Sequence, residues 1–539
     1  MSVSEVADEI ARRRTFAIVS HPDAGKTTLT EKLLLYGGAV STAGSVRARR
    51  NQRAATSDWM EIERQRGISI TSTVLAFDHA GFRMNLLDTP GHADFSEDTY
   101  RTLVAADSAV IVIDAARGVE PQTLKLFKVC RSRRMPVFTF VNKMDRPAME
   151  PLELLDVIER ALEIEAVAVN WPIGDGAEFQ GVYDRPGGRI HRYDRVEHGA
   201  RRAPVAVAAL ADPALEAGLG SGPAARLRAD LELLDAVGGR FDRPRVAAGE
   251  QTPVFFGSAL TNFGVDLFLD RFVALAPSPL AGRETAADDD AGFAGFVFKI
   301  QSNMNPQHRD SVAFVRLVRG AFTRDVVATH ARTGRSLRLG HASTLFARER
   351  QTVDIAYAGD VIGVANPGIL AIGDSLYTGN APPRVVLPTF PPEHFARLAN
   401  VNVLQQKAYL KGLEQLGLEG VVQILSAAGA GRREGILAAV GRLQFDVMQF
   451  RMKAEYGVDT RIELLPYHLA RWLDGPAAAV AAFRPPTGCL LCEDALGRAV
   501  VLFGHEWDLD YAAKAHPDVR LAEAESLTPP VLAGGPAAQ

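Results

Sequence analysis

Residues 20–28 read SHPDAGKTT, and this stretch determines which fold the first half of the chain adopts. An apolar run at residues 15–19 ends directly before it, as a buried strand would, and a helix-compatible run follows it. Between a strand and a helix, backbone N–H groups can wrap around phosphate oxygens. The Lys26 ammonium can reach the β- and γ-phosphates, and the Thr27 hydroxyl can ligate Mg²⁺. Ser20 stands where the general phosphate-loop pattern has its first glycine, and the stretch predicts a site for a nucleoside triphosphate.

A second motif, DTPGH at residues 88–92, follows the strand-like residues 82–87. A carboxylate at the C-terminal end of a strand, facing a phosphate loop, is the usual second anchor for Mg²⁺. Asp88 is predicted to be that carboxylate. Gly91 leaves a backbone N–H free to approach the γ-phosphate. The motif therefore predicts a magnesium and phosphate site at one edge of a sheet.

A third motif, NKMD at residues 142–145, indicates which base the site prefers. The Asp145 carboxylate can accept from both N1–H and the 2-amino group of guanine, whereas adenine offers no matching pair of donors. The tripeptide at residues 258–260 follows a further strand-like run and is predicted to complete the base pocket. Guanine is therefore selected over adenine, which disfavours a P-loop ATPase or kinase.

Length and composition are those of a multidomain protein of the cytoplasm. At roughly 100 to 200 residues per domain, 539 residues give about three to four domains. The N-terminus has no apolar secretory core, and no run reaches the roughly 18 apolar residues of a membrane span. The 3 cysteines give no disulfide framework, which fits a reducing compartment. Cys489 and Cys492 have zinc-like spacing, but the absence of a second pair argues against a metal there.

The net charge of −4 does not by itself favour a nucleic-acid partner. Four basic clusters depart from this balance and are candidates for contact with RNA phosphates: residues 12–14, 47–53, 131–134 and 432–433. For any single cluster, solvated surface charge is the alternative interpretation.

The predicted fold class is α/β, with a P-loop G domain built on a parallel sheet, followed by a β-barrel domain and an α+β domain. Strands and helices alternate from residue 15 to about 276, which indicates a parallel sheet covered on both faces. We predict the G domain over residues 1–280, with an inserted subdomain at about 172–250. A hairpin around residues 186–188 and helices over 206–237 are predicted inside the insertion.

In the second half of the chain the pattern of predicted secondary structure changes twice, which indicates two further domains. Short β-rich runs spaced by Gly and Asp predict a small closed barrel over residues 290–387. Mixed helices and strands predict the α+β domain over 388–515, and residues 516–539 are predicted to be a flexible tail.

The motifs, taken in order with QRGISIT at residues 65–71, resemble those of the translational GTPases, and His92 after the glycine marks that group. Four further segments resemble the bacterial class II peptide chain release factors: residues 57–61, 94–102, 300–310 and 441–447. The resemblance runs from about residue 12 to about 515.

This resemblance implies a ribosome-dependent GTPase of translation termination, which frees the class I, stop-codon-reading release factors. The implied cofactors are GTP/GDP and Mg²⁺. The implied partners are the ribosome, through rRNA and ribosomal proteins, and the class I release factors. We expect a monomer that acts in the cytoplasm, with no membrane and no DNA partner.

The resemblance also assigns roles to single residues. Lys26 is expected to bind the phosphates, and Asp88 is expected to bind a water on the metal. His92 is expected to be the catalytic residue that holds the attacking water. The predicted metal residues are Thr27, Ser69 and Asp88. The predicted GTP-binding residues are Ser20, His21, Pro22, Asp23, Ala24, Gly25, Lys26, Thr27, Thr28, Asp88, Thr89, Pro90, Gly91, His92, Asn142, Lys143, Met144, Asp145, Ser258, Ala259 and Leu260.

Two departures from the wider translational GTPase pattern lie close to His92. Pro22 occupies a position usually held by an aliphatic residue, and Ser69 replaces the commoner threonine. A serine hydroxyl still ligates Mg²⁺.

We hypothesise that the ribosome swings His92 inward, because no arginine in the motifs is placed as an internal finger. Residues 41–73 are predicted to be a switch that orders around the γ-phosphate. An elongation-factor-G-like ribosomal GTPase is one alternative, but the chain after Pro388 is too short for its additional domains. A GTP-switched binding protein that does not hydrolyse GTP is the other, and intact His92 and Lys26 argue against it.

Overall fold

The computed structural model describes residues 3–40, 62–63, 69–194, 201–203, 205–209, 219–237, 239–280, 292–302, 311–340, 342–346, 349–379, 382–383, 385, 387, 390–427 and 435–523. Within these ranges the chain forms three units in sequence order. Most of the predicted switch at 41–73, the basic clusters at 47–53 and 432–433, and most of the predicted tail lie outside the described residues. No helix in the described ranges is long and apolar enough to cross a bilayer.

The first unit is built on eleven strands among the described residues. They are β1 Arg13–Ser20, β2 Thr73–His79, β3 Phe82–Asp88, β4 Ser108–Asp114, β5 Val137–Asn142, β6 Glu165–Ala168, β7 Asn170–Ile173, β8 Gly181–Asp184, β9 Arg189–Tyr193, β10 Val205–Ala209 and β11 Gln251–Phe256. The helices are α1 Val3–Ala11, α2 Lys26–Tyr36, α3 Ser96–Val104, α4 Pro121–Ser132, α5 Pro151–Leu162, α6 Ser221–Val237, α7 Arg243–Ala247 and α8 Val265–Leu275.

The main sheet of this unit has the order β2-β3-β1-β4-β5-β11-β6. β2 and β3 pair antiparallel, and the other neighbours pair parallel. The predicted parallel sheet is therefore confirmed. β1 is buried on both faces, because Phe16 and Ile18 enter one hydrophobic core while Ala17 and Val19 enter the opposite one. β1, β3 and β5 all end at the same edge of this sheet, where the motifs begin.

The insertion forms its own antiparallel sheet with the order β10-β9-β8-β7. The predicted hairpin is confirmed, since β8 and β9 pair antiparallel. The prediction of helices over 206–237 is wrong at its start, where β10 pairs with β9 from Val205 to Ala209. The Val-Ala alternation fits a strand, and cross-strand pairing overrides the helix propensity of alanine.

The second unit is antiparallel β structure, as predicted. Its strands are β12 Ala294–Ser302, β13 Ser311–Arg319, β14 Ala321–Thr323, β15 Val327–His330, β16 Ser336–Arg338, β17 Ala342–Phe346, β18 Glu349–Thr352, β19 Ile355–Tyr357, β20 Val361–Ala365 and β21 Ser375–Tyr377. The order β16-β15-β21-β12-β13-β20-β17-β18 forms the larger sheet, and β14 pairs with β19. β12 and β13 are its longest strands and lie at its centre.

The third unit combines one antiparallel sheet with four helices among the described residues, which confirms the α+β prediction. The strands are β22 His394–Asn400, β23 Gln423–Ala427, β24 Gly435–Ala439, β25 Thr460–Leu464, β26 Leu469–Asp474, β27 Leu490–Glu493, β28 Ala499–Phe503 and β29 Arg520–Ala522. The helices are α9 Gln406–Leu418, α10 Leu443–Tyr456, α11 Ala477–Ala482 and α12 Glu506–Ala515. The sheet order is β25-β22-β24-β23-β27-β28-β26-β29. The prediction that the tail begins at residue 516 is wrong, because β29 pairs with β26 and belongs to this sheet.

Arginines of β1 and β13 join the first unit to the second. Arg13 Nε lies 3.2 Å from an Asp360 carboxylate oxygen, and Arg316 Nη2 lies 2.6 Å from an Asp107 oxygen. Arg13 and Arg14 are each only 8% exposed. The structure contradicts the RNA interpretation for these two side chains, because they are buried among protein partners.

Candidate functional site

The phosphate loop runs from the end of β1 to the first residue of α2. Gly25 has φ 96°, a left-handed conformation that favours glycine. A Cβ at this position would lie 2.3 Å from Asn142 Nδ2, so the loop can sit against the base motif only with glycine there. The loop therefore passes directly beside the end of β5. Because the loop leads straight into α2, backbone N–H groups and the positive end of the helix dipole face the same edge.

Lys26 and Asp88 meet in the interior of the site. Lys26 Nζ lies 2.6 Å from Asp88 Oδ1, and the two residues are 6% and 2% exposed. A buried charge without a partner is costly, so each group stabilises the other at this edge. The structure thus brings together the first and second motifs at one sheet edge, as the sequence predicted, although the ion pair between Lys26 and Asp88 was not predicted.

The loop after β3 is fastened to β1 and α3. Thr89 Oγ1 donates to the Ile18 carbonyl oxygen at 2.7 Å, and Thr99 Oγ1 donates to the Pro90 carbonyl oxygen at 3.1 Å. A Cβ at Gly91 would lie 3.6 Å from Pro22 Cα, which places the two loops side by side. The backbone of this loop is therefore fixed, although the side chain that follows Gly91 is not.

Asn142 ties the phosphate loop to the loop after β11. Its Nδ2 donates to the Ala24 carbonyl oxygen at 2.8 Å, and its Oδ1 accepts from the Ala259 N–H at 2.9 Å. Asn142 is 2% exposed. One bond from each end of its amide makes Asn142 the connection between three loops.

Lys143 pairs with a carboxylate that sequence reasoning missed. Its Nζ lies 2.7 Å from Asp114 Oδ2, at the end of β4. Burial raises the pKa of Asp114, but the hydrogen bonds from Lys143 and from the Ala116 N–H outweigh burial and lower the pKa overall. The signal was present in the sequence, because Asp114 ends an apolar strand in the same way as Asp88.

Asp145 is oriented by the tripeptide at 258–260. Ser258 Oγ donates to Asp145 Oδ1 at 2.6 Å and itself accepts from the Thr261 N–H at 3.2 Å. Ser258 is fully buried, whereas Leu260 is 44% exposed. One carboxylate oxygen of Asp145 is thereby held, which sets the direction of the other.

His92 is more weakly held than the other motif side chains. The exposed fraction of its side chain is 38%, and its Nδ1 lies 3.3 Å from Asp94 Oδ1. The Asp94 N–H also points at Nδ1, at 3.3 Å. The imidazole is therefore turned toward Asp94 by two long contacts.

The donor set fits Mg²⁺ rather than a transition metal. No group of three or more His, Cys, Asp or Glu side chains with metal-site geometry occurs in the described part of the chain. Mg²⁺ is usually held by one or two carboxylates with hydroxyls, waters and nucleotide phosphates, which matches Asp88 beside Lys26 and the adjoining Thr27. Ser69 is partly buried just before β2.

Three family models match consecutive parts of the chain. Residues 11–278 match the elongation factor Tu GTP binding domain, and residues 292–379 match elongation factor G domain 2. Residues 385–513 match the class II release factor RF3, C-terminal domain. With the guanine-type motifs gathered at one sheet edge, these matches define a translational GTPase, which binds guanine nucleotide and hydrolyses GTP.

Relatives that match nearly the whole length of the chain identify a particular family among the translational GTPases. A peptide chain release factor 3 from Cyanothece sp. is 53% identical over 522 residues, 96% of each chain. One from Microcystis aeruginosa is 54% identical over 515 residues, 95% of each chain. One from Trichodesmium erythraeum is 51% identical over 534 residues, 98% of each chain. The chain belongs to the peptide chain release factor 3 family, and its place is in translation termination.

A solved structure supports the fold independently. A crystal structure of a protein from Thermus thermophilus superposes with a TM-score of 0.69 at 24% identity. The match covers 87% of this chain and 71% of the Thermus thermophilus chain. At this identity the likeness shows a common fold for the three units.

Proposed function

We propose that this chain acts on the terminated ribosome, where its GTP cycle drives the departure of a class I release factor. The single observation that carries the proposal is the joining of a guanine-nucleotide site in the first unit to a third unit that matches the class II release factor family. We further propose a monomer in the cytoplasm that contacts rRNA and ribosomal proteins, with domains at 1–280, 290–387 and 388–523, the last extended to include β29.

The proposed nucleotide site assigns the base to one end and the phosphates to the other. Asp145, oriented by Ser258, accepts from N1–H and the 2-amino group of guanine. Lys26 leaves Asp88 partly or wholly to neutralise the β- and γ-phosphates, and the loop N–H groups bind their oxygens. The buried Asn142 fixes the position of the base end relative to the phosphate end, because it bonds to the phosphate loop and to the loop after β11.

Thr27, Ser69 and Asp88 are the residues proposed to hold Mg²⁺ or its water shell. When bound, the ion neutralises charge on the phosphate oxygens. In the structure the Lys26 ammonium neutralises Asp88, so binding of a cation beside Asp88 and movement of Lys26 toward phosphate fit together. This exchange keeps the buried carboxylate paired throughout.

His92 is proposed to orient the water that attacks the γ-phosphorus. Phosphoryl transfer needs little covalent chemistry from a protein, so the position of the water and the neutralisation of charge account for most of the catalysis. His92 is 38% exposed and is held only by two long contacts at Nδ1, so its ring has to be oriented before Nε2 can hold a water. We propose that ribosome contact swings Nε2 inward, because the loop backbone before it is already fixed by Thr89.

The end of the predicted switch is joined to the second unit by a hydrogen bond, and to the third unit by apolar packing of Ile70 in one buried cluster with Val447. The Ser72 N–H donates to Asp98 Oδ2 at 2.7 Å, and Lys299 Nζ contacts the Ser72 carbonyl oxygen. Lys299 is 4% exposed, and burial lowers its pKa despite the nearby carboxylates. Further along the strand that carries Lys299, the Ser302 N–H donates to Glu419 of the third unit at 2.8 Å. A change in the position of Ser72 on GTP hydrolysis would therefore be transmitted to the second and third units.

The test is the departure of a labelled class I release factor from ribosomes stalled at a stop codon after peptide release. Adding this protein with GTP is expected to speed departure by at least about ten-fold, because hydrolysis is coupled to a change of state. Protein with GDP, and Lys26→Ala with GTP, are the controls. Equal departure rates in all three samples would contradict the proposal while leaving the GTPase activity itself intact.

A further inference from the structure

Asp94 stands between His92 and the third unit. Asp94 Oδ1 lies 3.3 Å from His92 Nδ1. The other oxygen, Oδ2, accepts from the Leu443 N–H at 2.8 Å, and Leu443 is the first residue of α10. One carboxylate therefore touches the proposed catalytic side chain and the N-terminal end of a helix more than three hundred residues later in the chain.

The third unit is shaped to receive this carboxylate. A Cβ at Gly441 would lie 2.1 Å from Asp94 Cγ, so only glycine permits the approach. Gln444 Oε1 accepts from the Val440 and Gly441 N–H groups, at 2.9 and 3.0 Å. These bonds fix the turn before α10 and leave the Leu443 N–H for Asp94. A carboxylate at this place also meets the positive end of the α10 dipole.

Apolar packing holds the same contact together. Phe95, which follows Asp94, is buried with Val447 of α10 and with Ile62 and Ile70 from the predicted switch. Both segments that are expected to respond to the γ-phosphate therefore pack on α10.

The two contacts of Asp94 with His92 have different chemical consequences. When the Asp94 N–H donates to Nδ1, the proton of the neutral ring sits on Nε2. When Nδ1–H donates to the Asp94 carboxylate, Nε2 keeps its lone pair and can accept from a water. A carboxylate on one ring nitrogen is a general means of fixing the tautomer and direction of the other.

We propose that Asp94 is a positioning residue for His92, and that the backbone of residues 441–443 holds Asp94 in place. Docking of the third unit on this loop thereby sets how well His92 orients the attacking water. The inference rests on the proposed role of His92. It predicts that changes made in the third unit alter GTP hydrolysis without altering nucleotide binding.

Asp94→Asn distinguishes positioning of His92 from a purely structural bond between Asp94 and the third unit. Asparagine keeps an oxygen for the Leu443 N–H but replaces the carboxylate that accepts from Nδ1–H. In the full-length chain, ribosome-stimulated kcat for GTP is expected to fall by about 10- to 100-fold, with KM and GDP affinity within about two-fold. Asp510→Asn on the exposed face of α12 is the matched control and is expected to leave kcat unchanged.

Gly441→Ala tests the same link from the third unit. Its new methyl group would displace the Asp94 carboxyl, so kcat is expected to fall several-fold. In an Asp94→Ala background the same substitution is expected to cost nothing further, because alanine has no Cγ to displace. Thermal unfolding and GDP binding of each variant report whether it is folded.

Each outcome decides the matter. If His92→Ala abolishes stimulated turnover while Asp94→Asn and Gly441→Ala do not lower it, positioning by Asp94 is wrong and the role of His92 stands. If His92→Ala turns over normally, both proposals are wrong. If Asp94→Asn speeds hydrolysis without ribosomes, Asp94 restrains His92 instead, which also contradicts the inference.

Discussion

The two ends of the nucleotide pocket are held in different ways. At the base end Asn142 is 2% exposed and makes two hydrogen bonds of 2.8 and 2.9 Å, and Asp145 is bonded to a fully buried Ser258. At the hydrolysis end His92 is 38% exposed and makes contacts of 3.3 Å only. The base end draws its partners from the first unit, whereas His92 is linked through Asp94 to the third.

This difference teaches how binding and hydrolysis are separated in one pocket. Side chains fixed in advance bind without further ordering, so we expect recognition of guanine not to depend on the ribosome. A side chain left half exposed has to be oriented before it can act, so we expect hydrolysis to be slow until a partner supplies that order. On the proposed roles of these residues, the protein binds GTP before it reaches the partner that triggers hydrolysis.

The largest expected effect comes from changing the base end. Asp145→Asn replaces one carboxylate oxygen with an NH₂ donor, so the 2-amino group of guanine loses its acceptor and meets another donor. GDP affinity is expected to fall by about 10⁴-fold, while xanthosine nucleotides, which carry a carbonyl at that position, gain affinity. Titration with fluorescent GDP and XDP measures both. Unchanged GDP affinity would contradict the assignment of Asp145.

At the hydrolysis end the expected effect is on rate and not on binding. His92→Ala is expected to lower ribosome-stimulated turnover by about 10²- to 10³-fold, because the attacking water loses its orienting group. GDP affinity should stay within about two-fold, since His92 contributes nothing to the base end. A variant that loses nucleotide as well would show that the two ends are not separable.

Lys143→Ala is expected to affect stability more than catalysis. It removes the partner of Asp114, whose side chain is 9% exposed, and should cost about 1–3 kcal/mol at neutral pH. The pKa of Asp114 is lowered in the folded state, so its stabilising effect is present above the unfolded pKa and is lost as pH falls through the folded pKa. Urea unfolding should show the difference between variant and wild type shrinking in acid. A pH-independent difference would contradict this origin.

The smallest expected effect comes from Ser258→Ala. It removes one hydrogen bond to Asp145 and leaves the carboxylate less well directed. Loss of about 0.5–1.5 kcal/mol corresponds to guanine affinity weaker by about 2- to 10-fold. Ser132→Ala, which removes an exposed hydroxyl at the end of α4, is the control. Equal losses in both variants would contradict the orienting role of Ser258.

Sequence patterns predicted those parts of the site that are local in the chain. Each motif follows its own strand, and parallel strands bring their ends to one edge, so the meeting of Lys26 with Asp88 followed from order and period. The partners of Lys143 and Asp94 could not be predicted in this way, because Asp114 and Leu443 are brought to them by tertiary packing and not by sequence spacing. β10 was mistaken for helix for the same reason, since its pairing with β9 outweighs local propensity.

The central claim is that guanine nucleotide binds without help while hydrolysis by His92 needs the ribosome. GTP turnover by the full-length protein and by His92→Ala, each with and without ribosomes, tests it most directly. The account predicts stimulation of roughly 10³-fold or more for the wild-type protein and little for the variant, with equal GDP binding by both. Fast hydrolysis without ribosomes, or full stimulation of the variant, would contradict it.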